Sequence, residues 1–304
     1  MIRINISNET TQLRAVIVGI ANDFGGIPDI DECYDPKSKE HVIRGIFPSE
    51  KDCILSIDSL VKVLEKYNVE VYRPKNIKGL NQIFSRDIAF VIADRLILPN
   101  IIEDRRREVE AISSVLGMVD ISKKIKMPED SRLEGGDVIL WNEYIFVGYS
   151  EKHDFERYKV ARTNNAGVDF LVDTFSNKKV RGLELNKSDD DPRNNVLHLD
   201  CCFQPIGKGM AVLYKDGLKN DGDINFLMDL FGRENIIDIS RDEMYNMTAN
   251  LFSISEEVII SEKGFVRINT ELRKRGFTVE EVSYAEIGKM SGLFRCSTMP
   301  LIRN

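Results

Sequence analysis

Three short segments carry residue types that could share one reaction. They are Leu133-Glu134-Gly135-Gly136-Asp137-Val138, Val196-Leu197-His198-Leu199-Asp200, and Phe294-Arg295-Cys296-Ser297-Thr298-Met299-Pro300-Leu301. A cysteine attacks as its thiolate, and a histidine with a carboxylate partner commonly supplies both the base and the cation that this needs. His198 is one of only three histidines in 304 residues, and it stands between the acidic segment and Cys296. A thiol placed for such work is expected to ionise below the free-cysteine value of about 8.5. Among the five cysteines, Cys33, Cys53, Cys201, Cys202 and Cys296, most should be small buried hydrophobes. If residues 196–202 run as a strand, His198, Asp200 and Cys202 share one face and Cys201 points with Leu197 and Leu199 to the other. Cys202 is then the competitor to Cys296.

The rest of the chain must position these groups. With 42% hydrophobic and 30% charged residues the composition is that of an ordinary globular protein with a large core. Forty-two basic against 49 acidic residues give net −7, which argues against nucleic acid or an anionic membrane as partner and favours a small, cationic ligand. The N-terminus has no apolar signal-peptide core, and no stretch approaches the roughly 20 apolar residues of a membrane span, so a cytoplasmic protein is expected. The cysteines lack CxxC pairing, and His198 has no second histidine at metal-ligand spacing. No metal and no cofactor is therefore expected.

A strand-helix rhythm runs along the chain. Leu13 to Gly19 reads as a strand, Ser49 to Lys66 as an amphipathic helix, and Val69 to Tyr72 as a strand. Ile88 to Leu98 reads as a hairpin turning at Ala93-Asp94, followed by a helix from Asp104 to Leu116. Val138 to Val147 reads as a hairpin turning at Asn142-Glu143, followed by a helix from Lys152 to Ala166. Val196 to Tyr214 reads as a hairpin turning near Gly207-Lys208-Gly209, with a helix near Ile224 to Phe231. Leu251 to Ile260, a helix from Arg267 to Arg275 and a strand from Thr278 to Val282 complete the series. The rhythm divides the chain into five ββαβ-type modules of about 60 residues, the pattern of radial repetition or of an array. A plain α/β sandwich is the alternative.

Ser85-Arg86-Asp87, the Glu134 segment, His198-Leu199-Asp200 and Arg295-Cys296-Ser297-Thr298-Met299-Pro300-Leu301-Ile302-Arg303, in this order, resemble the guanidine-modifying superfamily of arginine deiminases, dimethylarginine dimethylaminohydrolases and amidinotransferases. Asn8 to Gly19, Phe47-Pro48-Ser49-Glu50 and Val71-Tyr72-Arg73-Pro74 are similar to its amidinotransferase-like branch. The resemblance spans essentially residues 1–304. It implies a single catalytic α/β domain, a five-bladed pseudo-symmetric α/β propeller of the pentein type. It also implies that Cys296 attacks a guanidinium carbon, that His198 protonates the leaving amine and later takes a proton from water, and that Glu134 pairs with His198 or the substrate. Carboxylates match the N–H donors of a guanidinium, so Asp87 and Asp200 are expected to grip the substrate. Arg86 and Arg295 are counted with that set, and Asp137 serves either the substrate or the turn.

One departure bears on the substrate. Arginine deiminases commonly carry a Ser-x-Arg-Thr-like segment after the acidic hairpin, whose arginine can engage a substrate carboxylate. Here Ser150-Glu151-Lys152-His153 stands at that point, and Arg162-Thr163-Asn164 follows after a charged spacer. Arg162 is the better candidate, because lysine lacks the planar bidentate fork. Its alternative is a solvated helix arginine. Free L-arginine is thereby in doubt as substrate. His41 and His153 read as solvated, and Arg105-Arg106-Arg107, among Glu103, Asp104, Glu108 and Glu110, as a salt-bridged helix face. The resulting expectation is hydrolysis of a guanidine through a Cys296 thiouronium adduct, with amidino transfer to an amine as the sibling reaction. A non-catalytic guanidine- or protein-binding platform is the third reading. The oligomeric state stays open, a homo-oligomer included.

Overall fold

In the computed structural model, which describes residues 1–304, the chain builds fifteen short strands into five separate three-stranded sheets. β1 (Leu13–Val18) pairs in parallel with β2 (Glu70–Tyr72), and the connection carries α1 (Pro36–Ile43) and α2 (Glu50–Lys66). β3 (Phe90–Ile92) turns into β4 (Arg95–Leu98), and α3 (Glu108–Gly117) leads to a parallel β5 (Lys124–Lys126). β6 (Val138–Trp141) and β7 (Tyr144–Tyr149) form the next hairpin, after which α4 (Lys152–Arg157) and α5 (Asn165–Thr174) precede β8 (Lys179–Glu184). β9 (Phe203–Ile206), β10 (Met210–Leu213), α6 (Asp221–Phe231) and β11 (Ile236–Asp238) repeat the pattern. α7 (Arg241–Tyr245) links to β12 (Phe252–Ser253), β13 (Val258–Glu262), α8 (Val266–Lys274) and β14 (Thr278–Val282). After α9 (Ala285–Gly288), β15 (Thr298–Arg303) lies antiparallel to β1, with Val18 opposite Thr298 and Val16 opposite Pro300.

Every sheet is therefore one antiparallel pair plus one strand returned in parallel by a helix, and the first sheet is assembled from both ends of the chain. The five modules read from the sequence are present as these five sheets. Their hairpins turn where the sequence placed them: Ala93 and Asn142 adopt positive φ, as two-residue hairpin loops demand. α2 starts at Ser49, whose hydroxyl accepts from the Asp52 amide, and it buries Cys53, Ile57, Leu60 and Leu64 along one face.

Three expectations need correction. The helix read over Lys152 to Ala166 stops at Arg157; the chain then runs irregularly to Asn164, which caps α5 by accepting from the Gly167 amide. The Ser150 amide donates to the Thr163 carbonyl at 3.0 Å, so the charged spacer is an outward excursion whose two ends meet. Residues 196–202 are not a strand: a single 3-10 turn spans Leu199–Cys201, and β9 begins only at Phe203. Side-chain alternation does not hold there, and Cys202 packs into the core beside Gly217 while its Sγ contacts the Leu199 carbonyl. Finally, β5 and β8 were not read as strands, because their edge positions carry Lys and Arg; His41 is buried against Tyr245 rather than solvated, and only His153 is exposed.

Two apolar clusters meet at β1. Leu13, Val16 and Val18 belong to one, Ala15 and Ile17 to the other, so this strand is the seam on which both cores depend. No helix is long and apolar enough to cross a membrane. Leu13 is fully buried, and Leu13→Ala should destabilise the protein by about 2–5 kcal/mol in chemical denaturation, the usual range for a large-to-small core change. A loss below about 0.5 kcal/mol, the scale of an ordinary surface change, would show that β1 does not join the cores.

Candidate active site

The site begins with two glycines. Gly135 and Gly136 open the 3-10 turn Gly135–Asp137 that leads into β6. A Cβ on Gly135 would lie 2.1 Å from the Arg86 carbonyl oxygen, and one on Gly136 would lie 2.7 Å from Asp87 Oδ1 and 2.8 Å from His198 Cγ. Only glycine lets this backbone come so close to both groups. The Gly136 amide donates to Asp87 Oδ1 at 3.1 Å, and the Gly135 amide donates to the Asp87 carbonyl.

Glu134 and His198 meet directly, with Nε2 2.9 Å from Glu134 Oε2. His198 Nδ1 lies 3.7 Å from Asp87 Oδ1. Both ring nitrogens thus face carboxylate oxygens, an arrangement that suits the imidazolium with two donors. Burial alone would push His198 down, but Asp87, the Glu134 hydrogen bond and Asp137 together raise its pKa. Burial pushes Glu134 up, yet Arg162, the His198 hydrogen bond and Arg105 pull it well below the ordinary glutamate value.

Cys296 sits just before β15, with its Sγ 3.7 Å from Asp200 Oδ2. Asn250 holds it on two sides: Nδ2 donates to Sγ at 3.2 Å, and Oδ1 accepts from the Cys296 amide at 3.2 Å. The segments around this clamp are bent backbone, with Met247 and Ser291 at positive φ. Burial, then Asp200 and Asp87, raise the Cys296 thiol well above its ordinary value. The direction is opposite to the depressed thiol expected from the sequence: two carboxylates and a dry environment disfavour the thiolate.

All the residues singled out from the sequence are buried in this region, but they divide into two kinds. Cys296 Sγ faces Asp200, and His198 lies between Glu134 and Asp87. Arg295 instead binds protein acceptors, donating to Asp200 Oδ2 at 2.9 Å, Glu9 Oε1 at 3.0 Å and the Val138 carbonyl at 2.6 Å. Arg86 donates from Nε to the Arg295 carbonyl and from its amide to the Cys296 carbonyl; burial, then Arg295, lower it to about 9. Asp137 accepts from the Thr163 hydroxyl at 2.7 Å and the Leu199 amide at 2.9 Å, which fixes the turn that carries His198. Arg162 donates to Glu134 Oε2 at 3.2 Å and the Tyr34 carbonyl at 2.8 Å, so it is no solvated helix arginine.

Three further residues escaped the sequence reading. Arg105 belongs to no exposed face: it is buried, donates to Asp87 Oδ2 at 2.7 Å, holds both oxygens of Glu108 and approaches Glu134 Oε2 to 3.6 Å. Its neighbour Arg106 is the exposed one, paired with Glu103. Glu9 lies under Arg295, and burial, opposed by Arg295 and Arg86, leaves it at about 2. Asn250 is the third, its one signal an amide alone among Ala249, Leu251 and Phe252. Donor atoms of Asp87, Glu134 and His198 lie within 4.8 Å of one another; the Arg105 and Arg162 guanidiniums already compensate both carboxylates, which disfavours a metal ion between them.

A cavity of about 510 Å³ adjoins the site under the segment from Phe24 to Asp35. Its wall is shared with the site, since Arg105 donates to the Phe84 carbonyl and Arg162 to the Tyr34 carbonyl, and Phe84, Tyr34 and Glu108 line the cavity.

Residues 48–303 match the family model described as N,N dimethylarginine dimethylhydrolase, eukaryotic. An uncharacterized protein of Bacillus subtilis, YkgA, is 32% identical over 80% of this chain and 78% of its own length. Arginine deiminase of Listeria monocytogenes is 26% identical over 73% of this chain, and the match spans 61% of that enzyme. Dimethylarginine dimethylaminohydrolase of Pseudomonas aeruginosa is 26% identical over 65% of this chain and 67% of its own length. Among solved structures, the amidinotransferase SxtG of Microseira wollei superposes with a TM-score of 0.76 at 19% identity, covering 99% of this chain and 98% of its own. The Pseudomonas aeruginosa dimethylarginine enzyme in complex with citrulline superposes with 0.74 at 18% identity, covering 95% and 100%. These superpositions establish a shared α/β fold.

Gly136→Ala should lower turnover by about a hundredfold while leaving the unfolding midpoint within a few degrees, because it displaces Asp87 and His198 by roughly an ångström; activity within twofold of wild type would contradict the close approach. A pH titration of thiolate ultraviolet absorbance, taken as wild type minus Cys296→Ser, should show a midpoint above about 8.5. A midpoint near neutrality would refute the neutral thiol.

Proposed function

We propose, from the premise that this chain belongs to the N,N dimethylarginine dimethylhydrolase family of guanidine-modifying enzymes, that residues 1–304 act as one catalytic domain hydrolysing a guanidino compound to a ureido product and ammonia or an amine. The five sheets are read as the blades of a closed pentein propeller, with the site at its centre. The observation that carries the reading is the burial of two groups, Cys296 Sγ beside Asp200 and His198 between Asp87 and Glu134, joined through Arg295, which donates to both Asp200 and the Gly136 carbonyl.

A guanidinium bound by Asp87 and Asp200 offsets the two negative charges that disfavour the thiolate, and the thiol proton passes to solvent as the cation enters. The sulfur then forms a bond to the guanidinium carbon. His198, whose charged form Asp87 and Glu134 favour, gives its proton to the departing nitrogen, whose bond to carbon breaks as the thiouronium adduct forms. The neutral imidazole takes a proton from water, the water oxygen bonds to the adduct carbon, the carbon–sulfur bond breaks to return the thiolate, and the new carbon–oxygen group loses its remaining proton to solvent to leave the neutral ureido product. Glu134 orients His198 throughout and favours its charged form. Asp137, Arg295, Arg86 and Arg162 act through the groups they hold.

Cys296→Ser should abolish turnover and leave guanidine binding largely intact, and His198→Ala should also stop turnover. Denaturing the wild type during turnover, followed by peptide mapping, should place an amidino adduct on the peptide that holds Cys296. An adduct on Cys202, or normal turnover by Cys296→Ser, contradicts the mechanism; an amidino group recovered on an added amine identifies transfer instead of hydrolysis.

A further inference from the structure

The side-chain amide of Asn250 is fully buried just before β12, and every one of its hydrogen-bonding capacities is used. Oδ1 accepts from the Leu293 and Cys296 amides, each at 3.2 Å, while Nδ2 donates to Cys296 Sγ at 3.2 Å and to the Asp200 carbonyl at 3.3 Å. Two backbone N–H groups can be met only by the oxygen. The orientation of the amide is thereby fixed, and its NH2 faces the sulfur.

Asn250 is the only side-chain donor to this sulfur, since Asp200 Oδ2 and Oδ1, at 3.7 and 3.9 Å, are acceptors. Burial, then Asp200, Asp87 and Cys201, disfavour the ionised thiol, and the Leu293 backbone, itself held by Asn250, favours it. A neutral sulfur is a weak acceptor, so the Nδ2 contact contributes little while the thiol keeps its proton. A thiolate turns the same contact into a charge-assisted bond, roughly twice as strong as a neutral one. The amide is therefore aimed at charge that the sulfur carries only during reaction, and no reorganisation is needed when that charge appears.

We infer that Asn250 is a catalytic residue: its Nδ2–H binds the Cys296 thiolate as the guanidinium enters, and again when the carbon–sulfur bond of the adduct breaks and its electron pair returns to sulfur. The inference rests on the Cys296 mechanism above and adds a residue to it. Its two acceptor contacts alone would make Asn250 a clamp for the loop, so the test must isolate the donor.

The substrate for the test is whichever of L-arginine, N,N-dimethyl-L-arginine and agmatine the wild type converts fastest to ureido product. In Asn250→Ala, kcat at neutral pH should fall by about tenfold or more, the scale of one hydrogen bond to a charged group. The acid limb of the kcat profile should also move up by about one pH unit, because that limb reports ionisation in the substrate complex. A residue that only clamps the loop would lower kcat by the same factor at every pH. That result, or kcat within twofold of wild type, overturns the inference and leaves hydrolysis by Cys296 standing. A second measurement needs no change at Asn250: on saturation with methylguanidinium, one side-chain N–H proton of Asn250 should move downfield in nuclear magnetic resonance in the wild type and not in Cys296→Ser. Equal movement in the two proteins overturns the inference even where Asn250→Ala does not fold. If the wild type forms ureido product from none of the three guanidines, the hydrolase reading fails and takes the inference with it.

Discussion

Carboxylates crowded together away from water repel one another and lose hydration, a penalty of several kcal/mol for each unpaired ion. Glu9, Asp87, Glu108, Glu134 and Asp200 are all buried in one region of this protein, and each is matched by an arginine. Arg295 joins Glu9 to Asp200, Arg105 joins Glu108 to Asp87, and Arg162 meets Glu134. The pairing also ties the site to the fold. Glu9 lies just before β1 and Arg295 just before β15, so the ion pair forms where the two ends of the chain meet in one sheet. Losing either partner would strand a buried charge at the strand that joins both cores.

The same balance sets the chemistry. Asp87 and Asp200 are ligands of protein cations and also face the imidazole and the thiol, so they favour the charged form of His198 and the neutral form of Cys296. A neutral thiol is inert toward most electrophiles. In the proposed mechanism, reactivity is thereby linked to arrival of a cation of the right shape. Asn250 adds a fixed N–H toward the sulfur and two acceptor contacts to the loop that carries it, restraining the nucleophile independently of its charge.

Much of this was legible in the sequence, for physical reasons. The module count followed from hydrophobic periodicity, and the hairpin turns from small or polar residues able to adopt positive φ at Ala93, Asn142 and Lys208. Cys296, His198, Glu134, Asp87 and Asp200 stood out because chemistry confines nucleophile, base and acceptors to few residue types. What stayed hidden depended on three-dimensional neighbours. Arg105 looks like one of three exposed arginines until its partners come together from residues 87, 108 and 134. Arg162 was obscured by an excursion whose ends meet only through the Ser150–Thr163 hydrogen bond. The 3-10 turn at Leu199–Cys201 has the apolar alternation of a strand, and nothing in its sequence signals that Asp137 Oδ1 captures the Leu199 amide and bends the chain there.

In the proposed mechanism a guanidinium deprotonates the thiol by displacing the electrostatic balance that keeps it neutral. Calorimetric titration with methylguanidinium, repeated at neutral pH in buffers of different ionisation enthalpy, counts the protons exchanged on binding. The wild type should release a proton that Cys296→Ser does not. Equal proton release by the two proteins, or none by either despite measurable binding, would contradict it.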